Sequence, residues 1–171
     1  MYSITKNGKP LDKSLYTIDE ERKIFSSDEN GLVLDFSGMD GWYFDTYSYC
    51  TFKTGSHCTF NTGFGCTFNT GYECTFNTGS DCVFDTGYGC TFKTSSSCTF
   101  KTGSDCTFKT GYDCTFKTGS YCIFNTGSDC TFKTGYQCVV VRRDVYEVIE
   151  LDGTKKIKLG NYPLTTGKIG V

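Results

Sequence analysis

Cysteine recurs every eight residues through the middle of the chain, and all twelve cysteines of the 171 residues belong to this array, from Cys50 to Cys138. The repeated octad reads C-T-F-(K/N)-T-G-(S/Y)-x, and Ser95 stands where the other octads carry glycine. A short repeat of this kind indicates a solenoid, because each coil can bury its apolar residues only against its neighbours.

Alternation within the octad predicts the core. In a strand, residues two apart share a face, so Cys, Phe and the second Thr point inward while the first Thr and the Lys or Asn point outward. We expect the glycine to supply a positive φ at each corner, and Ser95 to mark a corner where this demand is relaxed. The predicted core contains Cys58, Cys66, Cys74, Cys82, Cys90 and Cys98, with Phe60, Phe68, Phe76, Phe84, Phe92 and Phe100.

The seventh octad position favours three octads per coil. Taken every 24 residues, one class is aromatic, a second is serine, and a third is serine except for Tyr72. The aromatic class is Phe64, Tyr88, Tyr112 and Tyr136. This pattern favours a triangular coil of three octads over a flattened coil of two. Duplication of a 24-residue gene segment would leave the same pattern in the sequence. An intertwined trimer, in which each chain supplies one side, is a third arrangement.

The predicted fold is a single-domain, all-β parallel β-helix (β-solenoid) with β-rich caps at both ends, because open sheet edges need cover. The sequence divides into an N-terminal cap at 1–41, the solenoid at 42–138, and a C-terminal hairpin or cap at 139–171 that is a candidate homodimerisation segment. Trp42 takes the place of a cysteine where the array tapers into the cap, and 34–36 is expected one octad earlier.

Turn residues and short apolar runs predict the elements of both caps. Asn7-Gly8 is a hairpin signal, and the segments 16–18, 23–26 and 31–36 are expected to be strands. Near the other end, a second hairpin is expected between the runs that flank Asp152-Gly153. Those runs are 145–151 and 155–159.

No catalytic, cofactor or metal site is predicted. His57 is the only histidine and occupies the variable eighth position, with no nucleophile tied to it by a motif. The cysteines lack C-x-x-C spacing and form parallel ladders, whereas a tetrahedral site needs converging ligands. Acids recur at the eighth position, where surface solvation is the expected role. The sequence therefore predicts a protein that is not an enzyme.

Charge and hydropathy limit the partners. The net charge is −2, and no run of about 20 apolar residues could cross a membrane. The first residues carry no apolar stretch typical of a secretory signal, so we expect a cytoplasmic protein. Consecutive octads carry lysine, but in a three-sided coil these lysines fall on all three sides. Nucleic acid is therefore not favoured, and a protein partner is expected.

The C-T-F-(K/N)-T-G array between terminal β segments resembles the octapeptide-repeat β-solenoid proteins of bacteriophages and large DNA viruses. It covers about half of the chain. With this resemblance, we expect a non-enzymatic macromolecule-binding solenoid, such as a phage protein that binds and inhibits a host defence protein in the manner of an anti-CRISPR. The candidate partner-binding residues are Lys93, Lys101, Lys109, Lys117, Asp105 and Asp113.

Two alternative functions remain open. A segment of a virion fibre or spike predicts a trimer. The outward threonines partly resemble those of insect antifreeze solenoids, which predicts ice binding. Those proteins display two outward threonine ranks in T-x-T, whereas here the outward neighbour is Lys, Asn or Asp.

Overall fold

A computed structural model describes residues 1–142 and 145–160 of the chain. Two sheets, each of ten strands within these residues, face each other across one core, and most neighbouring strands are parallel. The predicted all-β solenoid is confirmed. A 3-10 turn at Lys13–Leu15 lies between two strands of the N-terminal cap.

The strands in chain order are β1 (Ser3–Lys6), β2 (Lys9–Pro10), β3 (Thr17–Asp19), β4 (Ile24–Ser27), β5 (Leu32–Phe36), β6 (Tyr43–Thr46), β7 (Thr51–Thr54), β8 (Thr59–Asn61), β9 (Thr67–Asn69), β10 (Thr75–Asn77), β11 (Val83–Asp85), β12 (Thr91–Lys93), β13 (Thr99–Lys101), β14 (Thr107–Lys109), β15 (Thr115–Lys117), β16 (Ile123–Thr126), β17 (Thr131–Lys133), β18 (Cys138–Arg142), β19 (Glu147–Leu151) and β20 (Ile157–Lys158). The first sheet has the order β2-β1-β5-β7-β9-β11-β13-β15-β17-β20. The second sheet has the order β19-β18-β16-β14-β12-β10-β8-β6-β4-β3.

Each coil contains two octads, so the predicted three-octad coil is wrong. Phe76 pairs with Phe60 on one side and Phe92 on the other, which sets a repeat of sixteen residues. The coils run from β4–β5 to β16–β17, seven in the described residues. Both walls come from one chain, so the core closes within it and needs no second or third chain.

The phenylalanine rings explain why two walls suffice. The ring of Phe84 stacks on that of Phe100 in the same sheet, with centroids 4.8 Å apart and planes within 3°. Across the core, Phe84 meets Phe92 edge to face at 5.2 Å. Each such pair adds about 0.5–1.5 kcal/mol beyond burial. Because rings from the two walls already touch, the octads leave no interior for a third wall to enclose.

The corners differ from the prediction. Positive φ occurs at the eighth octad position, as at Glu73 (53°) and Asp105 (60°), and the octad glycines do not carry it. Asp and similar short polar residues tolerate this conformation better than most. The octad glycines are needed for close approach instead. A Cβ on Gly71 would lie 3.0 Å from the backbone carbon of Gly55 in the previous coil.

At the corner that contains Ser95, the hydrogen bond to the previous coil is longer than at the equivalent glycine. Its main-chain nitrogen donates to the carbonyl oxygen of Gly79 across 3.4 Å, whereas the nitrogen of Gly79 lies 3.1 Å from the oxygen of Gly63. The demand at this corner is therefore relaxed by a longer hydrogen bond between coils, and not by a change in φ.

The N-terminal cap contains the predicted hairpin and strands. β1 and β2 pair antiparallel, and the turn residues Asn7 and Gly8 have φ values of 52° and 74°. β1 then covers β5, and β3 covers β4, both antiparallel. Leu34 pairs with Phe52, so Leu34, and not Phe36, takes the phenylalanine position of the first coil.

The C-terminal strands do not form the predicted hairpin between 145–151 and 155–159. β19 pairs antiparallel with β18 in the second sheet, whereas β20 pairs antiparallel with β17 in the first. The chain crosses the end of the solenoid between them because both sheets need a closing strand. Residues 143, 144 and 161–171 of the segment 139–171 lie outside the described residues.

Candidate interaction surfaces

The two-octad coil divides the predicted partner-binding lysines between opposite faces. Lys101 and Lys117 lie on β13 and β15 of the first sheet, whereas Lys93 and Lys109 lie on β12 and β14 of the second. All four side chains point outward, because the phenylalanine before each of them points into the core. Consecutive octads thus alternate between the faces, and each face carries its own row of lysines.

On the first sheet this row is longer than predicted. Lys101, Lys117 and Lys133 occupy directly paired positions on neighbouring strands, and we call them the first-sheet lysine column. Neighbouring strands lie about 4.8 Å apart, and like charges directly opposite one another destabilise a sheet. Lys133 was missed from the sequence because Asn125 interrupts the run of lysines in successive octads. The sixteen-residue register would have revealed it.

Acidic residues neutralise only one end of this column. Lys101 Nζ lies 2.7 Å from Asp85 Oδ2 on the preceding strand. Among the described residues, no ion pair involves Lys117 or Lys133. The first-sheet lysine column therefore presents two uncompensated cations at its C-terminal end.

The second sheet carries a shorter lysine column. Lys93 and Lys109 are directly paired and form the second-sheet lysine column. Their outward neighbours on either side are amides, Asn77 and Asn125. The Asn77 amide nitrogen donates to Asn61 Oδ1 across 3.0 Å, which extends a polar ladder towards the N-terminal end. In the described residues both columns therefore have two lysines without a bonded acid, and the second-sheet lysine column differs in lacking a third lysine.

Each face carries one threonine column beside its lysine column. On the first sheet Thr99, Thr115 and Thr131 form successive pairs, after Val83 at the equivalent position of the preceding strand. On the second sheet the column ends at Ile123, which pairs with Val139 on the next strand. The outward rank next to threonine is Lys, Asn or Asp, so neither face has two adjacent threonine ranks.

Asp105 and Asp113 lie at opposite corners of the coil. Asp105 lies between β13 and β14, and Asp113 between β14 and β15. Both have positive φ, at 60° and 56°. The six predicted partner-binding residues therefore form two lysine columns with acids along their margins, and not one cluster.

Exposed aromatic residues lie along one corner of the coil, but they are not the predicted aromatic class: Tyr88 and Tyr136 lie at this corner, whereas Phe64 and Tyr112 lie at the opposite one. The rings of Tyr72 and Tyr88 stack with centroids 4.9 Å apart, and the Tyr121 ring meets Tyr136 edge to face at 5.3 Å. The His57 ring meets Tyr72 edge to face. These contacts join residues of adjacent coils, so they too become visible only in the sixteen-residue register.

The cysteines are free thiols in the core, and all twelve are at most 1% exposed. Each donates to backbone carbonyls at the corner before it, as Cys58 Sγ does to the Ser56 oxygen at 3.4 Å. The pKa of Cys114 is raised to about 11, first by the neighbouring Cys130 thiol and also by burial. In residues 1–142 and 145–160, no group of three or more His, Cys, Asp or Glu side chains could hold a metal ion.

The predicted core phenylalanines and Trp42 are also buried. The phenylalanines from Phe60 to Phe100 are at most 1% exposed, and Trp42 is 3% exposed. The Trp42 carbonyl oxygen accepts from the nitrogen of Thr59 at 2.8 Å, as the Cys58 oxygen does from Thr75 one coil later. The indole ring packs edge to face on Phe36 at 4.8 Å. Trp42 thus fills the cysteine position where the core meets the cap.

These features define a two-walled parallel β-solenoid with outward lysine and threonine columns. Comparison with protein-family models, curated proteins and solved structures finds no match to the chain. Within the described part of the chain, no helix has the length and apolar character needed to span a membrane.

Proposed function

We propose that the protein is a non-enzymatic binding protein whose first-sheet lysine column holds an acidic surface of a protein partner. The observation that carries this proposal is the row of three directly paired lysines, Lys101, Lys117 and Lys133, of which only Lys101 has an acid bonded to it in the described residues. A like-charged pair lowers the stability of the free protein. An acidic partner would remove this repulsion.

A protein suits the charge distribution better than a nucleic acid. The column is one side chain wide, and acids such as Asp105 and Asp113 follow its margins at both corners. A continuous phosphate backbone gains affinity from many cations along its path and would meet these acids on leaving the column. A folded acidic surface makes a bounded contact, which three lysines and the neighbouring threonine hydroxyls can match.

The solenoid supports such binding because its surface is formed in advance. Backbone hydrogen bonds join successive coils at the corners as well as in the sheets, as from Gly103 to Gly87 at 3.1 Å. A rigid surface loses little conformational entropy on association. Occlusion of an acidic site on a host defence protein is the form of this function favoured by the resemblance to phage octapeptide-repeat proteins.

The test compares two doubly substituted proteins with equal charge changes. Poly-glutamate labelled with a fluorophore serves as the acidic probe, and its anisotropy reports binding at low and at physiological salt. We expect Lys117→Glu with Lys133→Glu to weaken binding by roughly tenfold or more. The matched control, Lys93→Glu with Lys109→Glu, should lose less, because it leaves the column of three lysines intact.

Two results would contradict the proposal. Equal losses in the two double variants would show that overall charge, and not the first-sheet lysine column, controls binding. Tighter binding of a single-stranded DNA of equal charge than of poly-glutamate would favour a nucleic-acid partner. Circular dichroism of every variant confirms that the solenoid is still folded.

A further inference from the structure

The two ends of the solenoid protect their sheet edges differently. At the N-terminal end, β2 contains two residues including Pro10, and β3 contains three. At the other end, β19 contains five residues, Glu147–Leu151, and lacks both proline and lysine. Within the described residues β19 has a neighbouring strand, β18, on one side only. Short strands, proline and charged residues, above all lysine, keep edges from pairing. β19 is five residues long and has two glutamates but neither proline nor lysine, so it is less protected than β2, β3 or the two-residue β20.

An apolar patch on the outer face of the second sheet adjoins this edge. Val139 pairs with Ile123, and Val141 pairs with Val148 of β19. Val148 is 69% exposed and Ile123 is 52% exposed. Four β-branched side chains therefore lie together on a face that is polar in most other coils. Adjacent exposed apolar residues are typical of an interaction surface.

We propose that β19 pairs antiparallel with β19 of a second copy, joining two solenoids end to end. A two-fold axis perpendicular to the sheet keeps core-facing residues on the same side in both copies. Centred on Ile149, it pairs all five residues of β19. Val148 then lies opposite Glu150 of the second copy, twice in the dimer. Centring on Glu150 would instead place two carboxylates opposite each other, which is unfavourable.

This register explains why a second copy fits the edge. Ile149 and Leu151, 6% and 2% exposed, face the core at the end of the solenoid. In the proposed dimer Ile149 meets Ile149 of the second copy, and Leu151 lies opposite Glu147, whose carboxylate is already paired with Arg142 of its own chain at 3.1 Å. On the outer face Val148 keeps its apolar neighbours, and no like charges are paired. A closed two-fold contact of this kind uses one surface patch on both copies.

In this register Val148 faces Glu150 of the second copy, so charged substitutions at these two positions test it. Light scattering and sedimentation of the full, reduced chain measure the dimer. Val148→Glu places a carboxylate opposite Glu150 at both crossings, so we expect the dimer dissociation constant to rise by roughly tenfold or more. The matched control, Val148→Lys, should leave the dimer intact, since its cation would face that glutamate. Combining Val148→Glu with Glu150→Lys should restore the dimer.

Wild-type protein with a mass of one 19.0 kDa chain at micromolar concentrations would overturn the proposal. A dimer unaffected by Val148→Glu, or not restored by the double variant, would place the contact elsewhere and overturn it too. Circular dichroism melting at high dilution checks that each variant folds. The dimer does not depend on the lysine columns, so Lys117→Glu with Lys133→Glu should leave the mass unchanged.

Discussion

The main-chain nitrogen of Gly71 donates a hydrogen bond to the carbonyl oxygen of Gly55, 3.0 Å away in the previous coil. The coils approach so closely here that a Cβ on Gly71 would collide with the Ser56 hydroxyl and lie 3.0 Å from backbone atoms of Gly55 and Ser56. We expect Gly71→Ala to lower the free energy of unfolding by about 1–3 kcal/mol through overpacking. The guanidinium denaturation midpoint measures this loss.

Gly127 provides the matched control. A Cβ at Gly127 would have its nearest neighbours 3.4 Å away, at backbone atoms of Gly111 and Tyr112. Gly127→Ala should therefore be close to neutral, or stabilising by a few tenths of a kcal/mol through lower entropy of the unfolded chain. Equal effects of the two substitutions would show that close approach does not explain the octad glycine.

The central phenylalanines should contribute more to stability than those at the ends. Phe100 stacks on both Phe84 and Phe116, whereas Phe132 stacks on Phe116 alone among the described residues. We expect Phe100→Ala to cost about 3–5 kcal/mol. Phe132→Ala should cost less than Phe100→Ala, because it removes fewer aromatic pairs, each of which contributes roughly 0.5–1.5 kcal/mol. Denaturant unfolding measures both, and a larger loss for Phe132→Ala would contradict this explanation.

Stability should fall in alkaline solution because the Cys114 thiol is buried and its pKa is raised in the folded protein. The pKa of Cys114 rises from 9.0 to about 11, so the unfolded chain releases this proton at a lower pH than the folded chain does. The contribution of this protonated thiol to the free energy of unfolding is complete below pH 9 and is lost as the pH rises towards 11. We expect the free energy of unfolding to decrease over this range. In Cys114→Ala this decrease should be smaller than in the wild-type protein. If the two proteins have the same pH profile, Cys114 is not the group responsible.

The first-sheet lysine column should respond to a reversal of one charge. Lys117→Asp would place a carboxylate between Lys101 and Lys133, as Asp85 now lies beside Lys101. We expect a gain in stability of about 0.2–1 kcal/mol for each new pair, less at high salt. Asp85→Asn, the opposite control, should lose stability. Unchanged thermal melting of Lys117→Asp at low salt would show that the column carries no repulsion.

The three-octad coil and the lysines on three sides were wrong for the same reason. The 24-residue pattern of aromatics predicted a triangular coil, but Ser56 Oγ accepts a hydrogen bond from the nitrogen of Tyr72, sixteen residues later. The residue type at the seventh octad position therefore affects contacts with the neighbouring coil. It does not show at which corner of the coil that residue lies. The lysines were predicted on three sides for the same reason. Once the coil has two walls, they become columns, and Lys133 joins them.

The sequence by itself determined the features that depend on neighbours along the chain. Alternation within the octad predicted the inward cysteines and phenylalanines, and Asn7-Gly8 predicted the first hairpin. The tertiary structure alone decided the size of the coil, the reason for the octad glycine and the crossing from β19 to β20 between sheets. These depend on which coils touch. An exact octad repeat offers the same local pattern to several stackings, and only the packing of rings between two walls selects one.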